Sequence, residues 1–145
     1  MPFLVDTNVL LRLLQPHHPH YAIAKRAITL LRERDGVLHI TAQNVVEFWA
    51  VSTRPKSDNG LGLTIEQATE EVRALKHFFL LLPEVSLFEE WERLVTEHRV
   101  SGRNAHDARL VAAMLVHKIG NILTFNYQDF SRFDSVTVVD PNSVM

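Results

Sequence analysis

Apolar residues fall along the chain in brief runs that alternate with longer stretches of helical spacing, and that alternation predicts the order of the elements. Phe3-Leu4-Val5 is a short run closed by Asp6-Thr7-Asn8, after which Val9, Leu10, Leu13 and Leu14 recur at helical spacing. The pattern predicts strand, tight turn, helix. Pro16-His17-His18-Pro19-His20 breaks it, and Ile23, Ala27, Leu30 and Leu31 form the apolar stripe of a second helix from Tyr21 to Glu33, ended by Asp35-Gly36. Val37 to Ile40 reads as a strand, and Thr41 is a good N-cap for a helix to about Ser52. The polar stretch Arg54 to Gly62 carries two glycines and a proline without periodicity and predicts an exposed loop.

Thr64-Ile65-Glu66-Gln67 has the form of a capping box and predicts a helix to about Phe79, followed by a brief strand over Leu80 to Leu82. Ser86-Leu87-Phe88-Glu89 has the same form and heads a helix to about Arg99. After the break at Ser101-Gly102-Arg103-Asn104, Ala108 to Ile119 is apolar nearly all round, which predicts a buried helix with Gly120 as its C-terminal cap. Ile122 to Phe125 and Val136 to Val139 are the last two strands. Short apolar strands alternating with helices imply parallel pairing through crossover helices. The expected class is α/β, a three-layer α/β/α sandwich around a mainly parallel sheet of about five strands.

A length of 145 residues suits a single domain spanning 1–145. Apolar residues at 46% and charged residues at 22% exclude a disordered chain. The longest apolar run, Ala108 to Val116, is broken by Arg109 and falls short of the roughly 20 residues a bilayer requires, so no membrane span is expected. Met1-Pro2-Phe3-Leu4-Val5-Asp6 reaches an acid at once, unlike a signal peptide, and a cytoplasmic location is expected. The absence of cysteine excludes disulfides, thiolate zinc sites and cysteine nucleophiles, so any metal must be held by oxygen or imidazole. A formal net charge of −2 lacks the basic excess of proteins that track phosphates, while leaving room for local basic patches.

In open parallel sheets, ligands bind beyond the carboxyl ends of the strands. Asp6 stands at such an end, either as the N-cap of the next helix or as part of a site, with Thr7 and Asn8 beside it. Glu47 lies in Val45-Val46-Glu47-Phe48-Trp49, where apolar neighbours leave an acid in need of a partner, or else it belongs to a first-turn box with Asn44 or takes an exposed position on a helix with a broad apolar surface. Asp107 precedes the buried helix, where an acid also suits the helix dipole. Asn126 and Asp129 follow the strand ending in Leu123-Thr124-Phe125, and either could cap the turn. Gathered at one end of one sheet, such carboxylates repel unless a cation neutralises them, and hard oxygen ligands suit Mg²⁺ or Mn²⁺. The chemistry they point to is metal-assisted hydrolysis of a phosphodiester.

Four segments, Leu4-Val5-Asp6-Thr7-Asn8-Val9-Leu10, Glu47 in its helix, His106-Asp107-Ala108-Arg109-Leu110-Val111-Ala112 and Leu123-Thr124-Phe125-Asn126-Tyr127-Gln128-Asp129-Phe130, together resemble the PIN-domain nucleases, above all the VapC-type toxins of bacterial toxin–antitoxin pairs. The resemblance implies an endoribonuclease in which Asp6, Glu47 and Asp107 hold Mg²⁺ or Mn²⁺, Thr7, Asn8 and Thr124 support them, and cleavage leaves a 5′-phosphate and a 3′-hydroxyl. It maps the family's fourth acidic position onto Asn126 and gives Asp129 a supporting part. Asn126 offers only a neutral carbonyl oxygen, so one tightly held ion is expected. It further implies a homodimer and a VapB-like antitoxin lying across the acidic site.

Arg12, Arg54, Lys56 and Arg103 are the candidate RNA contacts, because arginine and lysine supply most backbone contacts. His17, His18 and His20 sit too close together in a proline-broken loop to converge on one tetrahedral ion, and His106 is expected to pack beside the site from a loop. An aspartyl-phosphate phosphatase needs an acid two residues after Asp6, where Asn8 stands, and no glycine-rich phosphate loop is present. Two alternatives stay open: a catalytically weak domain that only binds RNA or an antitoxin, and an RNA-maturation nuclease without an antitoxin.

Overall fold

Strands without a polar face must be covered on both sides, and the chain does this with helices in two layers. In the computed structural model, which describes residues 1–145, strands β1 (Pro2–Val5), β2 (Val37–Ile40), β3 (Leu80–Leu81), β4 (Asn121–Leu123) and β5 (Thr137–Val139) form one five-stranded sheet. Every pairing in it is parallel, and the order is β3-β2-β1-β4-β5. The helices are α1 (Thr7–Arg12), α2 (Tyr21–Glu33), α3 (Ala42–Thr53), α4 (Ile65–Phe78), α5 (Phe88–Glu97), α6 (Asn104–Val116) and α7 (Tyr127–Phe130). The three-layer α/β/α class expected from the sequence is the one observed. No helix is long and apolar enough to cross a membrane.

Alternation along β1 sorts the layers. Phe3 and Val5 join a core with Leu38, Ile40 and Leu123 of the sheet and with Val9, Leu10, Ala27, Phe48 and Leu75 of α1 to α4. Leu4 points the other way, into a core with Ile122 and with Leu94, Val111, Met114 and Phe130 of α5, α6 and α7.

Three expectations about helix ends are corrected. Helix α6 begins at Asn104, not at Ala108, which places His106 and Asp107 inside its first turn and not in a loop. The box expected at Ser86 does not form; Leu87 takes the N-cap of α5 with no side-chain hydrogen bond and packs against the α6 core. A cap worth about 1 kcal/mol gives way there to burial of a leucine side chain, worth roughly 1.5–3 kcal/mol when complete. Gly120 does not cap α6. Lys118 takes the left-handed conformation with φ 57°, its N–H reaching Leu115 O and that of Ile119 reaching Met114 O, the two bonds of a Schellman ending.

Gly120 lies beyond that motif, outside the left-handed region, and a Cβ placed on it would meet nothing within 4 Å. Gly120→Ala is expected to raise the unfolding free energy by about 0.4–1 kcal/mol by restricting the unfolded chain. Urea denaturation checks this, and a lower midpoint would mean that the glycine is needed where it stands.

Candidate active site

The sheet order determines where a ligand can enter. From β1 the chain runs outward through β2 to β3, then returns on the other side of β1 as β4, so the order reverses between β1 and β4. At that switch point Val5 pairs with Leu123, which sets the next residues, Asp6 and Thr124, side by side.

Asp6 is only 7% exposed, and its carboxylate accepts from the Thr7 N–H at 2.8 Å and from the Thr124 hydroxyl at 2.8 Å. Thr124 Oγ1 in turn accepts from Asn8 Nδ2 at 3.2 Å and from the Asn126 N–H at 3.0 Å. Asn8 Oδ1 accepts the Phe125 N–H at 3.3 Å. A second branch runs through α3. The Thr7 hydroxyl donates to Glu47 Oε1 at 2.9 Å and accepts from Asn44 Nδ2 at 3.1 Å. Asn44, fully buried, also completes the capping box of α3 with Thr41, so Glu47 stands outside that box. Gln43 Nε2 donates to the His106 carbonyl at 2.8 Å, and Arg109 Nη1 donates to Gln43 Oε1 at 3.0 Å, joining α3 to the first turn of α6.

These elements enclose an open cleft of about 460 Å³ walled by Asp6, Glu47, Asp107, Asn126 and Asp129, with Arg54 and Arg103 also on its lining. Burial pushes the Asp6 carboxyl up to about 6 against the two hydrogen bonds that favour its charge, and Glu47 and Asp129 raise it further. Asp107 is pushed up to about 7, first by burial, then by the charges of Asp129, Asp6 and Glu47, with Arg103 opposing. The acids therefore share one field, and among them Asp129 raises Asp107 the most.

Cations could be held by Asp6, Glu47, Asp107 and Asp129, with the Asn126 carbonyl as a neutral donor. By type and charge this all-oxygen set fits a hard divalent ion. No three acidic or imidazole groups converge on one point in the structure.

Of the candidates read from the sequence, Asp6, Glu47, Asp107, Asn126 and Asp129 meet in the cleft, and Thr7, Asn8 and Thr124 form the hydrogen-bonded floor. Arg54 and Arg103 reach its wall. Arg12 and Lys56 do not. Arg12 donates from Nη1 to Gln15 at 2.8 Å, and Lys56 lies along Gly62 in the exposed loop after α3. Sequence reasoning missed Gln43 and the bond from Asn44 to Thr7. The only signal for them was their spacing on α3, which places Gln43 four residues before Glu47 on the same helix face.

The sequence model of the PIN domain matches residues 3–136, and the chain belongs to the PIN-domain family. Solved structures agree in fold. The VapBC2 complex of Rickettsia felis, solved bound to a promoter DNA fragment, contains a chain matching at TM-score 0.70 and 14% identity over 97% of this chain and 98% of that one. VapC20 of Mycobacterium tuberculosis, described as a sarcin-ricin loop cleaving toxin, matches at TM-score 0.66 and 16% identity over 90% and 95%. A toxin–antitoxin complex from Klebsiella pneumoniae matches at TM-score 0.64 and 23% identity over 95% and 96%. No curated protein is similar enough in sequence to count as a match.

The raised carboxyls make stability depend on pH. An unfolded aspartate loses its proton near pH 3.9, whereas Asp6 and Asp107 keep theirs in the folded chain to about 6 and about 7. Between those values the folded state binds more protons, so the stability these groups contribute is complete below about pH 4 and lost as pH rises through 6 and 7. For buried Asp6 the loss is roughly 3 kcal/mol. Urea denaturation in chelator across this range is expected to show the decline and to show it shallower in Asp6→Asn. An equally steep profile in the variant would reject the assignment.

Proposed function

We propose that the chain is a Mg²⁺- or Mn²⁺-dependent endoribonuclease acting as the toxin of a VapBC-like toxin–antitoxin pair. The observation that carries this reading is the shared field of four acids at the switch point, two of them pushed up toward neutral pH within one open cleft. A site kept this acidic, without a lysine or arginine bonded to any of its carboxylates, suits cation binding. Membership of the PIN-domain family and the fold shared with VapC20 support the substrate class.

Bound Mg²⁺ or Mn²⁺ supplies charge that polarises the scissile phosphate and makes water a competent nucleophile at neutral pH. Asp6 is the fixed member of the donor set, because both of its oxygens are already oriented by Thr7 and Thr124. Glu47, oriented by Thr7, and Asp107 approach from α3 and α6, and Asp129 supplies the fourth carboxylate from α7. Arg54 and Arg103, both on the cleft lining, would hold phosphates of the RNA.

An antitoxin partner is supported by the likeness in fold to chains solved within toxin–antitoxin complexes. Between α2 and α4, an open groove of about 320 Å³ lined by Leu13, Leu14, Ile28 and Phe78 offers apolar surface to such a partner. A homodimer is part of the reading, with Val46, Leu80, Leu81 and Phe88, each more than 40% exposed, as residues whose contacts it would bury.

Cleavage of defined RNAs by the purified chain tests the reading. Activity is expected with Mg²⁺ or Mn²⁺ and not with chelator, and Asp6→Asn or Asp107→Asn should reduce it by about 10²-fold or more. Persistence of full activity in either variant, or in chelator, rejects the site. Because Asp129 carries charge and Asn126 does not, Asp129→Asn is expected to slow cleavage more than Asn126→Ala, as initial rates at subsaturating metal will show. Thr124→Val should lower apparent metal affinity by about 10–100-fold, since it removes the group that orients Asp6.

A further inference from the structure

We propose that the pocket beside the acid cleft, formed by Phe125, Tyr127, Gln128 and Arg103, receives a nucleobase of single-stranded RNA next to the scissile phosphate. This rests on the ribonuclease reading and adds the part of the substrate that the acids do not touch.

The pocket measures about 430 Å³ and shares Arg103, Asn126 and Asp129 with the cleft, so the two are continuous. Its volume lies within the roughly 300–1,000 Å³ of small-ligand sites. Phe125-Asn126-Tyr127-Gln128 alternates aromatic rings with amides, the side-chain types that stack on unpaired bases and read their edges. Phe125 is a fixed wall, its ring stacked on His20 at 4.4 Å and 11° and its N–H held by Asn8. Tyr127 is 56% exposed, while Phe130 buries α7 in the core, so the tyrosine is not needed to anchor the helix. Asn126 and Gln128 enter the protein's hydrogen bonds through their backbones, leaving both amides for a ligand. The loop is bolted to Thr124, the residue that orients Asp6, so a base in the pocket and a phosphate in the cleft are held in one frame.

The test uses fluorescence anisotropy with four homopolymeric oligoribonucleotides and an abasic ribose-phosphate oligomer of the same length, in an Asp107→Asn background that suppresses cleavage. At least one homopolymer is expected to bind about tenfold more tightly than the abasic strand. Tyr127→Ala should abolish that margin, Tyr127→Phe should retain it, and Gln128→Ala should narrow the spread among the four bases. Equal affinity for base-bearing and abasic strands, no binding of any strand, or a margin unchanged in Tyr127→Ala overturns the proposal; thermal melts of each variant confirm folding. The wild-type chain, incubated with RNA and Mn²⁺, separates the two readings. Cleavage at the same positions in wild type, Tyr127→Ala and Gln128→Ala keeps the nuclease and rejects the pocket, whereas base-dependent binding without any cleavage keeps the pocket and rejects the nuclease.

Discussion

The hydrogen bond from the Thr124 hydroxyl to the Asp6 carboxylate ties the carboxyl end of β1 to that of β4, and the whole cleft is arranged around it. A carboxylate as buried as Asp6 is tolerated only where polar partners replace water. The parallel register of Val5 with Leu123 delivers one such partner, and the N–H of Thr7 is the other. A hydroxyl suits the position because it donates once and accepts twice. Thr124 uses all three capacities, on Asp6, Asn8 and the Asn126 N–H, so one oxygen fixes three segments relative to one another.

The groups that orient the acids are neutral. Thr7, Asn8, Gln43, Asn44 and Thr124 supply the geometry, and none cancels charge. The chain's side-chain ion pairs, Arg73 with Glu70 and Arg93 with Glu90 and Glu97, lie on α4 and α5, away from the cleft. Only Arg103 tempers the field, at Asp107. Pairing each acid with a lysine or arginine would stabilise the free protein and remove the unneutralised charge that the proposed cation would meet. The unfavourable gathering of charge is tolerated because two apolar cores flank the sheet that bears it.

Period and punctuation predicted the five strands and six of the helices, since each buries a face with its own repeat. The four-residue helix α7 was not legible, because a single turn carries no period. One helix C-terminus differs from its sequence pattern: Gly120 reads as the cap of α6, and Lys118 takes the left-handed conformation instead. The acids were legible for a simple reason: Asp6 ends a strand, and Glu47 interrupts an apolar run. Asn126 reads as the fourth member because the resemblance to the PIN-domain nucleases maps the family's fourth acidic position onto it. The turn closed by the Asp129 N–H on the Asn126 carbonyl brings Asp129 to the cleft as well, with the charge that Asn126 lacks. Arg12 and Arg54 look alike in sequence, and only packing separates a guanidinium that donates to Gln15 from one on the cleft wall.

If the substrate is RNA, as proposed, an acidic site and a polyanion would be reconciled by division of labour along the chain. With a net charge of −2, the protein has little long-range attraction for RNA. Arg54, just past the end of α3, and Arg103, at the start of α6, supply positive charge on the cleft wall itself. Affinity from so few phosphate contacts is modest, because each contact releases only a fraction of a condensed counterion. The remainder must come from groups that do not depend on charge. In the proposed base pocket the aromatic and amide side chains of 125–128 would be such groups, and the Thr124 clamp ties their loop to Asp6. On the proposed ribonuclease reading, selection of an RNA would therefore be a matter of the bases the chain can seat beside the acids more than of the phosphates it can attract.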